Sequence, residues 1–265
     1  MAKVAGVSLK RSGARLHEVL PGRDTMVLVL TWAASGVDAL SYFGLGHVFT
    51  ANMTGNTVLL GLAIGQGQGL AALRSIIALA GFVIGVAGST LVLEASPPHG
   101  DWPISVTKAV LAEGVVLGMF TLTWHLGVHS GVTIYVLIAL SAVAMGIQSA
   151  AIRRLKVPGI ATTYITGTLT SMVAEFVSWL HRWQLSPLAV DPTGQSAALD
   201  VPGTRRYHGA RLQAVVLLVY VFAAIVSGIL QARHSSLVAY SPLVAVVLVV
   251  LNACARHRGE NARPA

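Results

Sequence analysis

Charge is scarce in this chain: Asp, Glu, Lys and Arg make up 11% of its 265 residues, against 54% that are hydrophobic. So thin a polar complement leaves more apolar surface than a soluble core of this length can hide, and a mean hydropathy of +0.71 agrees. Cysteine is almost missing, with Cys254 alone, which excludes an internal disulfide and gives no cysteine-based metal site. No apolar stretch precedes Thr25, so the basic start with Lys3, Lys10, Arg11, Arg15 and Arg23 reads as a cytoplasmic tail, not a cleaved signal peptide. Enzyme signatures are lacking too: there is no phosphate-cradling Gly-Lys-Ser/Thr loop, no Gly-x-Ser-x-Gly elbow and no His-Glu-x-x-His helix. The reading is therefore of a non-enzyme without a cofactor.

What the chain has in abundance is apolar runs that repeatedly reach about 20 residues, the length needed to cross the hydrocarbon of a bilayer. They fall near Thr25–Gly46, Ala71–Leu93, Ser105–Trp124, Gly131–Ile152, Leu212–Leu230 and Leu237–Ala253. An all-α integral membrane protein follows, with lipid as its first partner. The formal charge of +8 would suggest nucleic acid for a soluble chain. Here the Lys and Arg lie between or beyond the apolar runs, and a positive-inside bias accounts for them without nucleic acid.

A polar break interrupts these runs at Phe49-Thr50-Ala51-Asn52-Met53-Thr54-Gly55-Asn56 and returns, altered, as Thr162-Thr163-Tyr164-Ile165-Thr166-Gly167-Thr168. The flanks recur with it. Gly36-Val37-Asp38-Ala39-Leu40 sets against Gly146-Ile147-Gln148-Ser149-Ala150, and Phe82 and Gly88 match Phe222 and Gly228 at one common offset. The expected organisation is two related halves, about 25–125 and 131–253, within a transmembrane domain of 25–253, with a polar loop at 181–210 and basic cytoplasmic tails at 1–24 and 254–265. Each half holds three full transmembrane helices and one short interrupted or re-entrant helix. The first short piece, Thr54–Gly65, would be about 18 Å long if helical.

Two topologies fit. If both short pieces cross, there are eight crossings and parallel repeats, and Arg153, Arg154 and Lys156 land outside when the basic N-terminus is inside. If both dip and return, there are six crossings and inverted repeats, and that cluster, the 181–210 loop and both tails are inside. The distribution of Lys and Arg favours the inverted arrangement, with both termini cytoplasmic.

Inverted repeats with broken helices have a chemical use. Backbone leaves the helical pattern at membrane depth only where protein or water satisfies the freed groups. The N-terminus of a half-helix there presents N–H groups and partial positive charge. Thr54 and Thr166 are candidate N-caps, and Gly55 and Gly167 admit close approach. Two such ends meeting near the midplane would make a binding site.

By residues Gly36-Val37-Asp38-Ala39-Leu40-Ser41-Tyr42, Phe49, Asn52-Met53-Thr54-Gly55-Asn56, Gly61, Met145-Gly146-Ile147-Gln148, Thr162-Thr163 and Thr166-Gly167-Thr168, the chain resembles the YoaK-like family of bacterial multi-pass membrane proteins over roughly 25–253. The resemblance implies a bacterial membrane protein and names no substrate or reaction.

Asp38 is the leading functional candidate. Thr31, Ser35, Asp38 and Tyr42 share one helical face, and a carboxylate near mid-span costs several kcal/mol if ionised and unpaired. It either couples a proton or cation, or contacts a cationic or hydroxylated substrate, or pairs structurally with Arg74 or Lys108, or hydrogen-bonds across helices. Glu113 either joins it in a polar site or approaches a water-filled vestibule, while Glu175 snorkels or caps a helix end. The expected lining is Ser35, Asp38, Tyr42, Asn52, Thr54, Gly55, Asn56, Glu113, Gln148, Thr166, Gly167 and Thr168, for a small polar solute with a proton or cation. A bland alternative has the Thr and Asn side chains only mending backbone and gluing helices. His125 and His129 stand at i, i+4 but lack a third ligand, so no metal is expected. Gly61–Gly65, Gly81–Gly85 and Gly114–Gly118, with Ala142–Gly146 and Ala224–Gly228, have small-xxx-small spacing that serves helix packing within the chain or a homo-oligomer. The functional expectation is a secondary transporter or permease in the bacterial cytoplasmic (inner) membrane. The alternative is a non-transporting scaffold or accessory subunit.

Overall fold

The computed structural model describes residues 22–95, 100–127, 131–157, 165–185 and 203–261. These form eight helices: α1 (Arg23–Gly44), α2 (Met53–Gly65), α3 (Gly69–Glu94), α4 (Ile104–His125), α5 (Gly131–Arg154), α6 (Ile165–Leu185), α7 (Gly203–Arg233) and α8 (Tyr240–Asn261). Six of them, α1, α3, α4, α5, α7 and α8, are long and apolar enough to cross a membrane. Helix α2 has 13 residues and spans only about 20 Å. Helix α6 is 21 residues long but falls outside the six, its apolar run thinned by Thr, Ser, Glu175 and His181. Large apolar side chains such as Leu62, Ile84, Leu111, Leu218 and Leu251 stand exposed on the helices, as a bilayer solvent requires and water does not.

Several hydroxyls inside the spans are absorbed locally. Thr31 Oγ1 donates to the Val27 carbonyl at 2.9 Å, Thr121 Oγ1 to Leu117 at 2.8 Å and Ser141 Oγ to Leu137 at 2.8 Å. Each bond closes one helical turn back, so a hydroxyl needs no distant partner.

The first four helices and the last four interlock. Helix α3 packs on α5 and α1 on α7; α4 packs on α5 and α1 on α8; α2 packs on α3 and α6 on α7, while α4 meets α8 and α1 meets α5. At the α3–α5 crossing the small residues do what their spacing suggests. A Cβ on Gly85 would collide with the Val143 carbonyl and one on Gly146 with the Phe82 carbonyl, and a Cβ on Gly81 would come within 3.1 Å of Ala142 Cβ. The other spacings do not serve packing within the chain: Gly61, Gly65, Gly118 and Gly228 have nothing within 4 Å, and Gly114 makes only ordinary contact with Val246.

The ends of the spans differ from expectation. Helix α6 takes in 181–185 and α7 begins at Gly203, so only 186–202 of the expected loop lies outside the described residues. Helix α8 continues through the expected tail to Asn261. It is held there by contact with α4, where Thr107 Oγ1 and His257 Nε2 lie 3.0 Å apart and Trp102 Nε1 donates to the same hydroxyl at 3.1 Å.

Candidate functional site

The first break is a folded loop built around Asp38. Helix α1 ends as Gly46 and His47 take positive φ angles of 88° and 61°, and the chain turns back along its own last turns. That reversal leaves the backbone N–H groups of Thr50, Ala51 and Asn52 without helical partners. All three point at Asp38 Oδ1, at 2.9, 2.7 and 3.4 Å. Successive N–H groups converging on one oxygen form an anion-holding nest. The other oxygen, Oδ2, accepts from the hydroxyl of Tyr220 on α7 at 2.9 Å. Asp38 is thus an acceptor at both oxygens. Neither Arg74 nor Lys108 is its partner: Arg74 Nη1 reaches the Gly46 carbonyl at 3.5 Å, and among the described residues the recorded ion pair is Arg23–Asp24.

Two asparagines complete the loop. Asn52 caps α2, its side chain accepting from the Gly55 N–H at 3.2 Å. The expected cap, Thr54, is one residue inside the helix and exposed, because the chain enters the helical conformation at Met53. Asn56 is wholly buried; its Oδ1 accepts from the Phe49 N–H at 3.0 Å and its Nδ2 donates to the Phe49 carbonyl. A single amide therefore pairs both backbone groups of Phe49. The Phe49 ring covers Gly55, where a Cβ would come within 3.0 Å of it.

Beside this loop lies a cavity of about 320 Å³ lined by Ser35, Asp38, Ala39, Tyr42 and Phe43 of α1, Phe49 of the break, and Tyr220 and Ala224 of α7. Ser35 Oγ donates to the Tyr220 carbonyl at 2.6 Å, a second tie between α1 and α7. The rings of Tyr42 and Phe49 stack with centroids 5.3 Å apart. A larger groove of about 540 Å³ runs between α1, α7 and α8 past Trp32, without an acidic or basic side chain in its lining.

The structure brings Ser35, Asp38, Tyr42, Asn52, Gly55 and Asn56 together and leaves other expected residues elsewhere. Gln148 Nε2 donates to the Leu30 carbonyl at 3.0 Å, joining α5 to α1 away from the cavity lining. Thr168 is buried and Thr166 exposed, and neither these nor Gly167 lines the cavity. Thr166 lies within α6, its carbonyl accepting from Thr170 Oγ1 at 2.9 Å. Residues 162–164 lie outside the described residues, and so does His129. His125 packs on the Tyr240 ring at 4.6 Å, and no group of three metal-ligating side chains occurs among the described residues. Glu113 is fully buried in α4, and neither carboxyl oxygen has a hydrogen-bond partner among the described residues. Glu175 does not snorkel; it is half-buried and accepts from Gln213 Nε2 of α7 at 3.3 Å.

Sequence reading missed Tyr220. Its signal was only that a tyrosine hydroxyl inside an apolar span needs a partner. Phe49 was visible in the break and overlooked as lining.

A family model described as a protein of unknown function, DUF1275, matches residues 26–255. The UPF0700 transmembrane protein YoaK of Bacillus subtilis (strain 168) is 32% identical over 239 residues, covering 90% of this chain and 97% of that protein. No solved structure matches.

Proposed function

The chain belongs to the DUF1275 family of YoaK-like membrane proteins, and on that premise we propose that it is a secondary transporter or permease for a small polar solute, held in the Asp38 cavity. It acts in the bacterial cytoplasmic membrane with both termini inside, and it catalyses no reaction. The observation that carries this reading is that one cavity is lined from both halves of the chain, by α1 and the break of the first and by Tyr220 and Ala224 of the second. Broken helices at an interface between repeats are where transporters place their solutes.

The packing supports two related halves. Exchanging α1–α4 with α5–α8 turns α3–α5 into α7–α1, α4–α5 into α8–α1 and α2–α3 into α6–α7, each a contact that the structure contains. With three long apolar helices in each half, the halves are opposed across the bilayer. In the sequence Gln148 then stands where the first half has Asp38, and the solute site is asymmetric.

Reconstitution tests the proposal. Proteoliposomes containing the protein are screened for uptake of a panel of small polar solutes, beside the Asp38→Asn variant. Asparagine keeps an acceptor oxygen for the three N–H groups, so the variant folds while flux through the cavity is lost. Equal flux in both proteins removes Asp38 from the mechanism.

A second reading rests on the same residue. Every oxygen of Asp38 already accepts hydrogen bonds from the protein, as a purely architectural clamp would, and this favours a non-transporting scaffold or accessory subunit. In that case deleting 186–202 abolishes capture of a partner and no solute in the panel moves.

A further inference from the structure

We infer that the Asp38 cavity takes a small organic cation, an amine or quaternary ammonium held between the carboxylate and the aromatic rings that line it. The inference rests on the solute-site reading above and names the class of solute.

Three features of the cavity point to this chemistry. The hydrogen-bond donors around Asp38 are three backbone N–H groups and a phenol; they satisfy lone pairs but bring no net positive charge. Among the described residues no Lys, Arg or His pairs with Asp38, although the residue is 4% exposed. A buried acid in a bilayer marks a functional site, and one with no protein cation beside it suits a cationic ligand.

The lining is the second feature. Tyr42, Phe43, Phe49 and Tyr220 all border the cavity. Ring faces carry negative charge density and attract a cation within about 6 Å of the centroid. An inorganic cation prefers a cage of oxygens, typically six or more for calcium and near-octahedral for magnesium. The cavity offers few: besides Asp38, the side-chain oxygens of its lining are the hydroxyls of Ser35, Tyr42 and Tyr220. Methyl and methylene groups around an ammonium fit rings; a hydrated metal ion does not.

The third is size. About 320 Å³ stands at the lower end of small-molecule pockets, and the opposed signs of ligand and wall set specificity by charge. A neutral solute of the same shape loses both attractions.

The test is calorimetric titration of the purified full-length protein with tetramethylammonium, choline and ethanolamine, beside 3,3-dimethylbutan-1-ol, which has the shape of choline without its charge. At least one of the three cations binds saturably, and for choline the neutral alcohol is about tenfold weaker or worse. Asp38→Asn weakens the bound cation by about tenfold or more. Phe49→Leu, which keeps apolar bulk and removes a ring, weakens it by about threefold to thirtyfold and guards against misfolding of the first variant. Binding of none of the three cations, equal binding of choline and its neutral isostere, or unchanged binding in both variants overturns the inference. Uptake of a neutral solute through the cavity without cation binding overturns the cation and leaves the transporter. Cation binding without flux into proteoliposomes upholds the cation and overturns the transporter.

Discussion

Tyr220 Oη donates to Asp38 Oδ2 at 2.9 Å across 182 positions of sequence. The bond ties α1 to α7, and through the other carboxylate oxygen it reaches the backbone of the first break. Interhelical hydrogen bonds in membrane proteins average about 0.6 kcal/mol and reach about 1.7 kcal/mol. A double-mutant cycle of Tyr220→Phe and Asp38→Asn, read by unfolding in mixed detergent, is expected to give a coupling in that range. A coupling of zero means that the two side chains do not share a bond.

The α3–α5 crossing sets a second expectation. Gly85→Ala and Gly146→Ala each drive a methyl into backbone of the facing helix, and neither helix can move away without losing the rest of the contact. Each should cost about 1–3 kcal/mol, the usual penalty of overpacking. Gly118→Ala and Gly228→Ala, with nothing within 4 Å, should cost nothing measurable. Thermal unfolding of the four purified variants decides it, and equal melting temperatures contradict the crossing.

The proposal that the halves are opposed sets a topology. Cys254 is exposed, so it is first replaced by Ser, and a single cysteine is placed at Lys156, also exposed. An impermeant thiol reagent should leave it untouched in intact cells and label it after lysis. Labelling of intact cells means eight crossings and parallel halves.

Much of this was written in residue spacing. The face Thr31, Ser35, Asp38 and Tyr42 is legible because helical periodicity is local, and the break is legible because Asn, Thr and Gly interrupt an apolar run. The helix start was misread by one device: Asn and Thr both cap helices, and only the backbone decides that Asn52, three residues before Gly55, does so here. Tyr220 was not legible, since its place opposite Asp38 depends on how α7 lies along α1, a packing relationship with no local pattern. Glu113 shows the converse. Its sequence position suggested a polar site with Asp38 or a water-filled vestibule, yet α4 packs against α5 and α8, Glu113 is fully buried, and no polar partner meets it among the described residues. The ends of α6, α7 and α8 ran past the apolar windows because helices continue into polar sequence once nucleated.

The proposal that the cavity belongs to a transporter is tested most directly by asking whether it opens to both sides. With Cys254 replaced by Ser and a cysteine placed at Ala224 in the cavity wall, an impermeant thiol reagent is applied to right-side-out and to inside-out membrane vesicles. Alternating access predicts labelling from each side in separate experiments, slowed from both by a bound solute. Labelling from one side alone, at any length of exposure, contradicts it.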